Sequence, residues 1–125
     1  MDPMTPRSEL SSFEEDVLHR LIALSSSSTL DSLSEQARTV RVVRRERTDV
    51  GFFVHLATDP GSAPVPGNPR LVLDGLFARI DGLPNGAGFV LFVENGYLSM
   101  LEGFTYGGDW PDVVGAPAFT RLEAL

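Results

Sequence analysis

The sequence has no cysteine and no lysine, and it contains two histidines and one tryptophan in 125 residues. Without cysteine the chain has no disulfide, no thiolate metal ligand and no cysteine nucleophile. Ten arginines stand against 17 acidic residues, which gives a formal net charge of −7. A chain this acidic predicts no binding to nucleic acid or to an anionic membrane surface.

Long apolar runs are also missing. The longest stretch of small and apolar residues covers residues 86–93, far short of the roughly 20 residues that a transmembrane helix needs. The N-terminal residues lack the pattern of a secretory signal, because Glu14, Glu15 and Asp16 interrupt the first apolar stretch. The sequence therefore predicts a cytoplasmic protein.

The composition is that of a globular protein, with 42% hydrophobic and 22% charged residues. The length fits a single domain over residues 1–125. We expect its helical part to cover residues 1–38 and its sheet to cover residues 39–125.

Apolar residues near the N-terminus recur at helical spacing. Ser12 and Glu15 have the spacing of a capping box, and a second, shorter helix is predicted over residues 29–38. The stripe that predicts the first helix consists of Leu10, Phe13, Val17, Leu21 and Leu24.

The hydrophobic period changes to two after residue 39, which predicts strands. Residues 48–125 hold three arginines against nine acids, so this half of the chain can supply partners for an arginine-rich strand. We expect such internal pairing for the four arginines of the first strand, Arg41, Arg44, Arg45 and Arg47.

Residues 58–70 hold four prolines and two glycines, so a ladder cannot run through them and a long loop is predicted. The loop is either a functional element or a tolerated surface insertion. A further strand is predicted over residues 71–80, with a bulge at Asp74–Gly75.

A hairpin is predicted around Asn95–Gly96, the residue pair that favours a two-residue type I′ turn. A regular register from this turn pairs Leu91 with Met100 and Phe89 with Glu102. One face, which we expect to pack on the helices, then carries Phe89, Leu91, Val93, Leu98, Met100, Glu102 and Phe104. The opposite face carries Val90, Phe92, Glu94, Tyr97, Ser99, Leu101 and Thr105.

Together these patterns predict an α+β fold, with an N-terminal helical hairpin packed on one face of an antiparallel meander sheet of four or five strands. Residues 119–125 either add a short strand or pack as a tail. Glu102, on the predicted core face, needs a partner there, and an arginine of the first strand, such as Arg44, is the expected one.

The sequence carries no nucleophile elbow, no phosphate-binding loop, no dinucleotide fingerprint and no metal-ligand spacing. We therefore predict no catalytic residue, no cofactor and no metal. Whether the chain is an enzyme stays open, although a non-enzyme is favoured. His55 would form a catalytic dyad if the fold brought it to Asp74 or Glu102.

An aromatic, glycine-rich segment over residues 102–111 is the strongest candidate for a binding surface, because aromatic side chains are enriched where proteins meet their partners. In the alternative interpretation the same rings cap an open end of the core. The predicted partner-binding residues are Glu102, Phe104, Tyr106, Asp109 and Trp110.

Residues 86–112, GAGFVLFVENGYLSMLEGFTYGGDWPD, resemble the C-terminal hairpin of small bacterial proteins that carry an LEG-aromatic-TYG…WP signature. Several such small acidic α+β proteins are similar to the immunity proteins encoded beside polymorphic toxins. The resemblance implies a bacterial cytoplasmic module that neutralises a toxin. Its signature residues here are Glu102, Phe104, Tyr106 and Trp110.

Three hypotheses follow. The leading one is a non-enzymatic module that binds another protein, with an acidic face suited to a basic target. The second is a small enzyme or ligand-binding protein with a pocket near His55, Glu102 and Asp109, between the sheet, the loop 58–70 and the Trp110 turn. The third is a homodimer formed through the sheet face that carries Phe92, Tyr97 and Leu101.

Overall fold

In the computed structural model, which describes residues 9–121, two helices lie against one face of an open six-stranded antiparallel sheet. The elements in chain order are α1 (Ser12–Ile22), α2 (Ser27–Ala37), β1 (Arg41–Thr48), β2 (Gly51–Ala57), β3 (Leu71–Arg79), β4 (Ala87–Glu94), β5 (Tyr97–Thr105) and β6 (Ala118–Arg121). The α+β class and the helical hairpin on one face are confirmed. The sheet has six strands instead of four or five, because residues 118–121 pair with β3.

The strand order is β1-β2-β5-β4-β3-β6, so the predicted meander is wrong where β2 pairs with β5 and not with β3. The chain leaves β2 at Ala57 and passes the ends of two strands before β3 begins at Leu71. Three strand spacings of about 4.8 Å separate β2 from β3, which explains why the loop 58–70 is long. This loop also contributes to the core, since Val65 is buried.

The buried side-chain amide of Gln36, in α2, joins this loop to the sheet. Its Nε2 donates to the carbonyls of Ala63 at 3.0 Å and Gly96 at 2.8 Å, and its Oε1 accepts from the Leu98 N–H at 2.9 Å. All the hydrogen-bonding groups that meet at this point are thereby satisfied, as buried polar groups require. The loop 58–70 is therefore anchored to the protein and not a loose insertion.

The first helix begins with a capping box at Ser11 and Glu14, one residue earlier than predicted. The Ser11 Oγ accepts from the Glu14 N–H at 3.1 Å, and the Glu14 Oε1 accepts from the Ser11 N–H at 2.7 Å. The earlier box is favoured because Glu14 also faces Arg45, whose Nε and Nη2 donate to its two carboxylate oxygens at 3.0 and 2.7 Å. Burial alone would raise the pKa of Glu14, but the hydrogen bonds from Arg45 and Ser11 outweigh it and lower that pKa.

Three of the four arginines of β1 pair inside the chain, although not always with the acidic half, whereas Arg41 has no ion pair among residues 9–121. Arg45 pairs with Glu14 of α1, and Arg44 pairs with Glu46 of its own strand at 3.7 Å. Arg47 pairs with Asp112 at 3.2 Å, as the charge count predicted. Their strand lies at the edge of the sheet and has a bulge at Val43.

The hairpin around Asn95–Gly96 forms as predicted, but its register changes after two residue pairs. Val93 still pairs with Leu98, whereas Phe92 pairs with Met100, so Ser99 is left as the extra residue of a β-bulge. Because side chains alternate between faces, the bulge moves all later residues of β5 to the opposite face from the one predicted.

The predicted core face is therefore wrong beyond Ser99. Leu101 is fully buried among the core residues, while Met100, Glu102 and Phe104 lie on the face away from the helices. The expected bulge at Asp74–Gly75 is confirmed, since the register of β3 shifts between Leu73 and Leu76.

The helices of the described residues, 9–121, include none that is long and apolar enough to span a membrane. The buried apolar side chains of α1 face the sheet, and they are Val17, Leu18, Leu21 and Ile22.

We expect the substitution Gln36→Leu to lower the free energy of unfolding by about 3 kcal/mol, because the Ala63 carbonyl and the Leu98 N–H would lose their partner, while the Gly96 carbonyl would keep only the Val65 N–H. Urea unfolding followed by circular dichroism measures this value. The exposed neighbour substitution Glu35→Gln should change it by less than about 0.5 kcal/mol. A loss of similar size in both variants would contradict an anchoring role for Gln36.

We expect Arg45→Ala to cost about 2 kcal/mol at pH 7, since it leaves the largely buried Glu14 carboxylate without its cation. Because folding lowers the Glu14 pKa, the stabilisation is complete above about pH 5 and disappears as the pH falls through the lowered pKa. The difference between wild type and variant, measured by urea unfolding, should therefore shrink on acidification. The exposed pair of Arg38 and Glu35 provides the control, and Arg38→Ala should cost less than about 0.5 kcal/mol.

Candidate functional site

The sheet face opposite the helices carries the candidate site, and we call it the open face. Its side chains alternate with core residues along four strands, β2 to β5, and most of them are partly exposed. Its members are Phe53, His55, Val72, Phe77, Val90, Phe92, Tyr97, Met100, Glu102 and Phe104, with Tyr106 at its end.

Strand register arranges the open face in rows that cross the sheet. One row runs from Val72 through Phe92 and Met100 to His55. Directly opposite residues of neighbouring strands have Cβ atoms about 5 Å apart, so each row is a continuous band of contacts. The most exposed member of this row is Val72, at 52%.

The next row places a carboxylate at the centre of the face. Glu102 lies opposite Val90 on one side and Phe53 on the other, and Met100 and Phe104 flank it along its own strand. It is therefore bordered by apolar side chains in all four directions. Among residues 9–121 its carboxylate has no hydrogen-bond or ion-pair partner. Burial raises the pKa of Glu102 as a result.

The expected pairing of Glu102 with Arg44 does not form. The Nη2 of Arg44 lies 3.2 Å from the His55 Nε2 and 3.7 Å from a carboxylate oxygen of Glu46. The same His55 nitrogen lies 2.7 Å from Glu46. Hydrogen bonding by His55, helped by the charge of Arg44, lowers the pKa of Glu46. These three side chains form a paired, charged border along the β1 side of the open face.

Aromatic rings lie at the end of the open face where β5 ends. Phe104 and Tyr106 meet edge to face with ring centres 5.3 Å apart, and Phe77 lies 6.1 Å from Tyr106. The rings fit because Gly88 has no side chain, since a Cβ there would come within 2.6 Å of the Phe104 ring. Tyr106 remains 47% exposed. This cluster adds a large, rigid aromatic area to the face.

Of the predicted partner-binding residues, Glu102, Phe104 and Tyr106 come together on the open face, but Trp110 does not. Trp110 is 8% exposed and packs on the helix side of the sheet, with its ring centre 5.1 Å from Phe52 and 6.3 Å from Phe13. Its carbonyl accepts a hydrogen bond from Arg47. The alternative interpretation, a ring that caps the core, therefore holds for Trp110.

Asp109 is exposed and also lies away from the open face. It borders a shallow cavity of about 600 Å³ beside Thr48 and Asp49, at the turn between β1 and β2. The pocket hypothesis required His55, Glu102 and Asp109 to meet. His55 and Glu102 share the open face without a hydrogen bond between them, and Asp109 is not with them.

The two loops of that hypothesis are also separated. The loop 58–70 packs at the Gly96 turn, where β5 begins, and Trp110 follows the opposite end of β5. A strand of this length spans about 30 Å. The predicted pocket between the loop and the Trp110 turn therefore does not exist in the fold.

A cavity of about 520 Å³ does lie beside Trp110, on the helix side. Phe13, Phe52 and Val114 give it apolar walls, and Arg47 stands at its border. Arg47 already donates to the Trp110 carbonyl and pairs with Asp112. The charge at this border is therefore compensated within the chain.

Among residues 9–121 no three histidine or acidic side chains come together as metal ligands. The dyad considered for His55 with Asp74 or Glu102 does not form, because the Nε2 atom of His55 faces Glu46 and Arg44.

Sequence reasoning missed several apolar members of the open face, notably Phe53, Phe77 and Met100. A signal for Phe53 was present, since it alternates with the core residues Phe52 and Val54. Met100 was assigned to the wrong side because the bulge at Ser99 has no marker such as glycine in the sequence. For the homodimer hypothesis, Phe92 and Tyr97 do lie on the open face, whereas Leu101 is buried in the core.

We expect Glu102→Gln to keep or slightly raise the stability at pH 7.5, by about 0.5 kcal/mol or less because the carboxylate is still partly exposed. The folded-state pKa is raised, so the protonated carboxyl stabilises the fold at low pH, and this contribution is lost as the pH rises through that pKa. The gain of the variant should therefore vanish at a pH below the ordinary glutamate pKa of about 4.3, where wild-type Glu102 is protonated in the folded and the unfolded state. Urea unfolding at both pH values measures it, and a clear destabilisation at pH 7.5 would contradict an unpartnered carboxylate.

Comparisons with protein-family models, curated proteins and solved structures found no match to this chain. The resemblance of residues 86–112 to immunity-type proteins therefore stays a prediction.

Proposed function

We propose that this chain is a non-enzymatic protein-binding module whose contact surface is the open face. The observation that carries the proposal is a band of apolar and aromatic side chains across four strands, with no helix of residues 9–121 packed over it. Both helices of that part of the chain pack on the opposite face, where they bury the core residues of the same strands. The sheet therefore has two apolar faces, and the helices of residues 9–121 cover one of them.

The dimensions of the open face support the proposal. Three strand spacings give a width of about 15 Å, and the stretch from Met100 to Tyr106 gives a length of about 20 Å. This part of the sheet covers about 300 Å², which is comparable to the largest apolar surface patches of monomeric proteins, and such patches are often functional. Its paired charged border, formed by Arg44, Glu46 and His55, matches the polar rim of protein interfaces.

An immunity-type role, in which the module neutralises another protein by covering it, is the form of this function that we favour for a bacterial cytoplasmic protein. It is supported by the net charge of −7, which suits a basic target such as a nuclease through electrostatic steering. The signature residues Glu102, Phe104 and Tyr106 lie on the open face, and this placement is compatible with such a role.

The test is site-specific photo-crosslinking in cells that express the protein, with a photoreactive phenylalanine analogue at Val72 or at Val113. Both positions are exposed valines, and only Val72 belongs to the open face. We expect one dominant protein adduct from position 72 and none from position 113. Mass spectrometry identifies the adduct.

The purified partner then allows a quantitative test by calorimetry. We expect Val72→Ser combined with Phe104→Ser to weaken binding by at least about 30-fold, the effect of losing an interface hot spot. Val113→Ser should leave the affinity within about twofold. A partner that binds all of these folded variants equally would contradict the assignment of the open face.

A further inference from the structure

Resting on this proposed function, we propose that the open face recognises a partner segment that places one arginine or lysine against Glu102 and surrounds that cation with apolar side chains. The four neighbours of the Glu102 carboxylate are Val90, Phe53, Met100 and Phe104, and none of them can donate a hydrogen bond to it. The face therefore offers one central charge within an apolar frame.

Covering the open face would remove the water that now solvates Glu102. A carboxylate buried without a partner costs several kcal/mol, and the other side chains of the face cannot compensate it. A partner cation that reaches the carboxylate converts this cost into a charge-assisted hydrogen bond. When the partner presents only apolar groups, the desolvation of the Glu102 carboxylate is not compensated and binding is weaker. Glu102 therefore favours a partner with a cation over a purely apolar one.

Two arginines that border the open face are already engaged. Arg44 contacts His55 and Glu46, and Arg70 pairs with Glu94 at 3.1 Å. His55 is a diagonal neighbour of Glu102, at a distance of about 7–8 Å for such positions, and its Nε2 faces Glu46. Among residues 9–121 neither arginine contacts Glu102, so a cation for this carboxylate has to come from outside.

A second copy of the chain fits this surface less well. Face-to-face packing of two identical sheets about a twofold axis near the centre would bring the two Glu102 carboxylates together in an apolar interface. Two unpaired like charges there would oppose association. The same central charge that favours a cationic partner thus disfavours the homodimer.

The experiment is a display selection on a stable three-helix-bundle scaffold with one randomised helix face, carried out at pH 7.5 against the wild-type protein. Such a scaffold presents a convex surface of the size of the open face and leaves the choice of central residue free. We expect the binders that compete for the open face to carry arginine or lysine among apolar residues. Affinities are then measured for each binder against a set of variants.

Four variants separate the outcomes, and each is first checked for native circular dichroism. Glu102→Gln removes the charge and should weaken the selected binders at least tenfold. Asp31→Asn removes an exposed carboxylate on α2 and should leave the affinity within twofold. Val72→Ser and Phe104→Ser each remove an apolar side chain of the open face and identify the binders that use this face. If Phe104→Ser does not fold, Val72→Ser alone makes this identification.

The results distinguish this inference from the proposed function. If binders are lost on Val72→Ser but bind Glu102→Gln as well as wild type, the open face is a binding surface and cation recognition is wrong. If the selected binders tolerate both Val72→Ser and Phe104→Ser, the assignment of the open face itself is wrong. Sedimentation of the free protein completes the test, since a dimer at pH 7.5 that Phe104→Ser dissociates would overturn the inference in favour of a second copy.

Discussion

A single unpaired residue in β5 determines what the two faces of the sheet contain. Because Ser99 forms a bulge, Leu101 joins the core beneath the helices while Met100, Glu102 and Phe104 turn to the open face. A regular hairpin would bury a carboxylate and expose a leucine. The bulge therefore combines a favourable turn sequence with a well-packed core, and it also places the apolar side chains of β5 on the open face.

On the helix side, loop segments cover the core at both ends of the strands. At one end Gln36 holds the loop 58–70 against the Gly96 turn, and at the other Trp110 packs against Phe13 and Phe52. These segments are the long connections of the fold, which links β2 to β3 and β5 to β6 across other strands. Both connections contribute to the helix-side core, and the opposite face keeps its apolar surface.

Local signals in the sequence predicted the local elements well. The helical stripe of α1, the turn at Asn95–Gly96 and the bulge at Asp74–Gly75 all depend on neighbouring residues, and all three form. The pairing of β2 with β5 and the sixth strand depend on contacts between distant parts of the chain, which periodicity does not report. The same reason explains why the site was predicted only in part. The composition of the segment identified Glu102, Phe104 and Tyr106, but the face on which the β5 side chains lie depends on a bulge that the sequence does not mark.

The edges of the sheet bear on the stoichiometry of any complex. β1 carries charged arginine side chains and a bulge at Val43, and β6 at the other edge has only four residues. Edges of this kind resist the addition of further strands. A partner of the kind proposed above would therefore bind the open face and not the edge strands, which favours a closed one-to-one assembly over a growing chain of molecules.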